Sequence, residues 1–109
     1  MKILLFRKKT IAVIFLKMCI RERKWVAAIC AAPMVLGRAG VLQGRRAVCY
    51  PGCEGALAGA QISGDNVVMD GNVITSKGPG TAAEFALTLL AALKGESAAA
   101  EVAAGMLLA

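Results

Sequence analysis

The chain has 109 residues, enough for one modest domain and too few for two. Hydrophobic residues make up 58% of it, a share that excludes a disordered polar chain. The net charge of +6 is concentrated at one end: eight basic residues stand against Glu22 alone up to residue 25, and five basic against six acidic follow. The body is thus near neutral, with no basic stripe and interleaved aromatics, so nucleic-acid partners are not expected.

Residues 1–24 differ in character from the rest. Two short apolar runs, Ile3–Phe6 and Ile11–Leu16, alternate with Lys2, Arg7, Lys8, Lys9 and Lys17. The six-residue apolar run before Lys17 is too short for a secretory signal or a membrane span. A basic amphipathic helix on a membrane surface stays open as an alternative. The preferred expectation is a segment foreign to the domain behind it, so that 1–24 and 25–109 are distinct units.

From Lys24 onward, strands alternate with helices. Trp25–Ile29 is a small apolar run that suits a buried strand of an α/β sheet. Cys30 closes it, and Ala31-Ala32-Pro33 fits the first turn of a helix running to about Ala39 and ending at Gly40. A cysteine at such a junction sits beside helix N-terminal N–H groups, which favour a thiolate and can donate to an oxyanion. This is the physical idea of the nucleophile elbow, with sulfur in place of oxygen. The competing reading is a buried cysteine acting as a small hydrophobe.

Arg46–Cys49 predicts a second short strand, Tyr50-Pro51-Gly52 a turn, and Glu54–Ala58 a helical turn. Val67–Met69 and Val73–Thr75 flank Asp70-Gly71-Asn72 as an Asp-Gly hairpin. Thr81 and Glu84 have capping-box spacing ahead of Phe85, Leu87, Leu89, Leu90 and Leu93, in a helix that stops at Gly95. A weaker alanine-rich helix is expected from Ser97 to about Leu108, and no internal repeat is visible.

Cys19, Cys30, Cys49 and Cys53 could form two disulfides, but their spacings make no pair of C-x-x-C motifs and the chain holds no histidine. A structural zinc site would need all four at unfavourable spacing, so no metal is expected and a reduced, cytoplasmic chain fits better.

Four blocks carry a specific resemblance: Ala27-Ala-Ile-Cys30-Ala-Ala-Pro33, Tyr50-Pro-Gly52-x-Glu54, Val68-x-Asp70-Gly-Asn72-x-Ile74-Thr-Ser76 and Gly78-Pro-Gly-Thr81-x-x-Glu84-Phe-Ala-Leu87. In this order and spacing they resemble the ThiJ/PfpI superfamily, in particular its parkinsonism-associated deglycase branch, over about Lys24 to Met106. The resemblance implies an α/β, flavodoxin-like (class I glutamine amidotransferase-like) sandwich, here partial with its N-terminal strands missing, and a homodimer. It implies Cys30 as elbow nucleophile, its own N–H forming part of the oxyanion site, with Ala31 beside it. Tyr50 falls where some relatives hold a histidine, and Ser76, Lys77, Gly78 and Pro79 match a loop that in relatives lies near the reactive centre and contributes to the dimer surface. Lys77 reads equally as a solvated cation, and Glu84 reads more simply as the partner of Thr81.

The family's acid/base glutamate has no match, since Glu22 is the only carboxylate ahead of the matching region and its surroundings differ. The implied activity is a glyoxalase or protein deglycase acting, without cofactor, on methylglyoxal-like 2-oxoaldehydes or their adducts, and impaired by truncation. The alternatives are a redox-sensing or chaperone-like protein using Cys30 without turnover, and an inactive fragment.

Overall fold

In the computed structural model, residues 13–108 are described. Lys2, Arg7, Lys8 and Lys9 of the expected N-terminal segment lie outside them.

Residues 13–21 form a helix, α1. Its Leu16, Cys19 and Ile20 recur at i, i+3, i+4 and pack against the same core as the rest of the chain. Ile14, Phe15 and Met18 point outward. The turn after α1 is fastened by Asn72, whose Nδ2 donates to the carbonyls of Ile20 at 3.4 Å and Lys24 at 2.8 Å.

β1 (Val26–Ile29) follows, then α2 (Pro33–Arg38), as the small apolar run and the proline at its first helical position predict. β2 covers only Arg46–Ala47 and pairs in parallel with a strand the sequence reading missed, β3 (Gln61–Ile62). Between them the expected helical turn is a short 3₁₀ turn over Glu54–Ala56.

β4 (Val67–Asp70) and β5 (Val73–Ser76) form the expected antiparallel hairpin. Asp70 pairs with Val73, so Gly71 and Asn72 are the two loop residues. Positive φ falls on Gly71 (61°) alone of these two, the pattern of a II′ turn with glycine first. β5 also pairs in parallel with β1, giving the order β1-β5-β4.

As the central strand, β5 is covered on both faces and all four of its residues are buried. Val73 joins Val26, Ala28, Leu36, Leu42, Ala47, Cys49 and Leu57 in the main core. The two hydroxyls of this strand are accommodated by hydrogen bonds, as burial of polar groups requires. Thr75 Oγ1 accepts from the Val48 N–H at 3.0 Å, and Ser76 Oγ donates to the Asn66 carbonyl at 2.8 Å. Among the described residues no buried side-chain nitrogen or oxygen lacks a partner.

α3 (Ala82–Lys94) ends at Gly95 (φ 96°) as expected, and α4 (Glu96–Gly105) begins directly after it. The capping box is not formed. Thr81 Oγ1 turns back to Ser76 Oγ at 2.6 Å and accepts from the Gly78 N–H at 3.2 Å. Glu84 Oε1 instead accepts from Asn66 Nδ2 at 3.5 Å. The reason is competition: the Thr81 hydroxyl donates to the Gly78 carbonyl at 3.0 Å and also meets Ser76 Oγ, so it is not available to the amides of α3. No described helix is long and apolar enough to cross a membrane.

Candidate functional site

The sequence reading places its reactive group where β1 meets α2, and the backbone there is unusual. Cys30 has φ 66°, one of three positive values at non-glycine residues among those described. A side chain in this region is strained by about 1–2 kcal/mol and persists only where the surroundings over-determine it. Two hydrogen bonds do so here. The Cys30 N–H donates to the Ser76 carbonyl at 3.1 Å, and the Cys30 carbonyl accepts from the Tyr50 N–H at 2.7 Å. The first continues the β1–β5 ladder one residue beyond the strands; the second ties the elbow to the Val48–Tyr50 segment.

The first of these bonds corrects the expectation for the oxyanion site. The Cys30 N–H already has an acceptor in Ser76, so it does not point into open space. The helix start is also less open than expected. Ala31 and Ala32 form a turn before α2 rather than its first residues. The Ala32, Met34 and Val35 amides are taken by the carbonyls of Ile29, Ala31 and Ala32 at 2.9–3.1 Å. Ala31 has the one N–H of this turn without an acceptor among the described residues, and it is the amide directly after the cysteine.

Tyr50 opens a tight turn, with the Cys53 N–H returning to the Tyr50 carbonyl at 3.0 Å. Pro51 supplies the first central residue, and Gly52 (φ 99°) the second, where the positive φ of a type II turn favours glycine. Tyr50 is 49% exposed and its ring lies beside Gly78, where a β-carbon would come within 3.4 Å of Cδ2. Lys77 is directed elsewhere: its Nζ donates to the Gly64 carbonyl at 2.9 Å. Pro79 is an exposed first residue of a 3₁₀ turn over Pro79–Thr81. The structure therefore links Cys30, Tyr50 and Gly78, whereas the Lys77 ammonium is bound to the loop before β4.

The four cysteines are all free thiols, in different surroundings. Cys30 is half-buried, as are Cys19 and Cys53. Cys49 is buried and its Sγ hydrogen-bonds the Tyr50 carbonyl at 3.4 Å. Burial raises its pKa, helped by the nearby Glu54 and Cys53, so Cys49 stays protonated and unreactive. Carboxylates found in hydrogen bonds serve other groups: Asp70 accepts from the Arg46 N–H, Glu54 from the Gly52 N–H and Glu84 from Asn66. Among the described residues no cluster of three or more Cys, Asp or Glu could hold a metal ion. A groove of about 330 Å³ between α3 and α4, bordered by Glu84, Leu87, Thr88 and Glu96, shares no residue with the elbow.

Sequence reasoning placed Ser76 in the loop near the reactive centre but gave Thr75 no site role. Their signal was two hydroxyl residues closing an otherwise apolar strand.

Comparison with known proteins shows the family and the fold. The sequence profile of the DJ-1/PfpI family matches residues 5–92, starting inside the segment that reads as foreign. The chain is 46% identical over 86 residues to the protein dj-1beta of Drosophila melanogaster, a match covering 77% of this chain and 46% of that protein. It is 40% identical over 82 residues to a Caenorhabditis elegans protein named a glutathione-independent glyoxalase, covering 73% and 44% respectively. The crystal structure of Drosophila melanogaster DJ-1beta superposes with a TM-score of 0.83 at 42% identity, over 89% of this chain and 53% of that one. The chain thus spans about half the length of the relatives it matches, or somewhat less. Its fold is α/β, of the flavodoxin-like kind.

Proposed function

This chain belongs to the DJ-1/PfpI family, and on that premise we propose that it is a cysteine-dependent glyoxalase-type protein acting on 2-oxoaldehydes such as methylglyoxal, or on their adducts. The observation that carries the reading is Cys30: half-buried, at positive φ, and fixed through both its N–H and its carbonyl. A relative named a glyoxalase, at 40% identity, supports the substrate class.

In this reading the Cys30 thiolate adds to the aldehyde carbon, forming a C–S bond and leaving the electron pair on oxygen as a hemithioacetal alkoxide. The Ala31 N–H stabilises that oxygen. The aldehyde hydrogen then leaves as a proton and returns to the neighbouring carbon, converting the adduct to a thioester of the 2-hydroxy acid. Water cleaves the thioester, so the sum is methylglyoxal plus water giving lactic acid, with no external oxidant or reductant. The proton transfers need an acid/base group other than Asp70, Glu54 and Glu84, which are engaged as described. Tyr50, bonded to the Cys30 carbonyl, and Gly78 beside its ring are assigned to the approach to the thiol in this reading. A homodimer in a reducing cytoplasm belongs to the same reading, since the mechanism needs a free thiol.

The test is incubation with carbon-13-labelled methylglyoxal, followed by NMR for lactate and mass spectrometry for the adduct. Adduct at Cys30 and lactate formation are expected, both abolished in Cys30→Ser. Lactate formation unchanged in Cys30→Ser would overturn the reading.

A further inference from the structure

Tyr50 reaches Cys30 at the end of an extended stretch that no strand ladder supports. β2 stops at Ala47, so Val48 has no strand partner. Its N–H donates instead to Thr75 Oγ1 at 3.0 Å, across 27 residues of sequence. Val48 and Thr75 are each 1% exposed, so water is poorly placed to substitute for either partner. Thr75 also sits opposite Ala28 in the β1–β5 ladder, two residues before the cysteine.

β5 therefore reaches the elbow by two routes. Directly, the Ser76 carbonyl holds the Cys30 N–H. Indirectly, the Thr75 hydroxyl holds Val48, and Tyr50, two residues on, holds the Cys30 carbonyl. We propose that Thr75 is a positioning residue for the Cys30 thiol: its hydroxyl keeps the Val48–Tyr50 segment where Tyr50 can hold the cysteine at positive φ, beside the Ala31 N–H. The proposal rests on Cys30 being the reacting group. A strained residue relaxes when one of its restraints is lost. Once relaxed, Cys30 no longer presents its thiol in the conformation that the elbow imposes.

The experiment measures alkylation of each thiol by iodoacetamide across pH, by mass spectrometry, in wild type, Thr75→Val and Thr75→Ser. Valine keeps the shape and removes the acceptor; serine keeps the acceptor. Thr75→Val is expected to slow Cys30 alkylation at neutral pH about tenfold, the effect of losing one hydrogen bond of ordinary strength. Thr75→Ser should stay within about twofold of wild type, as a retained acceptor implies. General loosening would act oppositely, accelerating alkylation of buried Cys49. A Cys30 rate in Thr75→Val equal to wild type, or Thr75→Ser as slow as Thr75→Val, would overturn the proposal. Should Thr75→Val not fold, hydrogen exchange on the wild type decides: slow exchange at both Val48 and Tyr50 amides is expected, and fast exchange at either contradicts the restraint. Methylglyoxal turnover surviving in Cys30→Ser would instead refute the nucleophile assignment, a separate result.

Discussion

The elbow and the C-terminal helical pair are held by different means. Around Cys30, β1, β5 and the Val48–Tyr50 segment converge, and buried hydroxyls and backbone groups from distant parts of the sequence fix one residue in a costly conformation. α3 has thirteen residues and not one fully buried, while in α4 only Ala99 is buried. Leu93 is 63% exposed and Val102 44%. Strain is kept only where the interior over-determines it, so the strained residue is fixed from the sheet and the C-terminal helices mainly cover.

Substitutions at four positions would break or sharpen that contrast, and the largest effect belongs to α2. Gly37 of α2 lies so close to the 3₁₀ turn that a β-carbon there would fall 2.1 Å from the Ala56 carbonyl oxygen and 2.8 Å from Leu57 Cα. Both are backbone atoms, so Gly37→Ala is expected to destabilise by about 3 kcal/mol or more, read by urea unfolding. A loss below about 1 kcal/mol would mean that the turn yields easily.

The next effect isolates the strain itself. Glycine tolerates φ 66° and alanine does not, so Cys30→Gly should be more stable than Cys30→Ala by about 1 kcal/mol after glycine's extra chain entropy is deducted. Equal stability of the two variants would show that the elbow carries no strain.

A smaller effect appears in alkali. The folded-state pKa of Cys49 is raised above its ordinary value of 9.0. Its contribution is therefore fully present below 9.0 and is lost as pH rises further, because the unfolded chain gives up the proton first. Thermal unfolding should show stability declining in that range, and Cys49→Ala should flatten the decline. The smallest effect belongs to the other region: Leu93→Gln, on an exposed helical face, should change stability by less than about 0.5 kcal/mol.

Much of this was legible in the sequence, and what was not has a common cause. Val26–Ile29, the turn at Tyr50, the hairpin and the end of α3 at Gly95 follow from local patterns of apolar, glycine and proline residues. The bond from Val48 to Thr75 leaves no local trace, because it joins residues 27 apart. Thr81 shows the converse: its spacing to Glu84 matched a local motif, yet Ser76 and the Gly78 backbone take up its hydroxyl. β3 was missed because Gln61–Ile62 is two exposed residues with no periodicity to detect. In α1 the i, i+3, i+4 spacing of Leu16, Cys19 and Ile20 was present, but the surrounding basic residues obscured it.

The central claim is that the fold singles out one thiol of four. It is tested most directly by a time course of limiting iodoacetamide at neutral pH on the folded protein, with each cysteine followed by mass spectrometry. Cys30 is expected to react first and Cys49 last, with Cys19 and Cys53 between them. Cys30 reacting no faster than Cys19 or Cys53 would contradict the account.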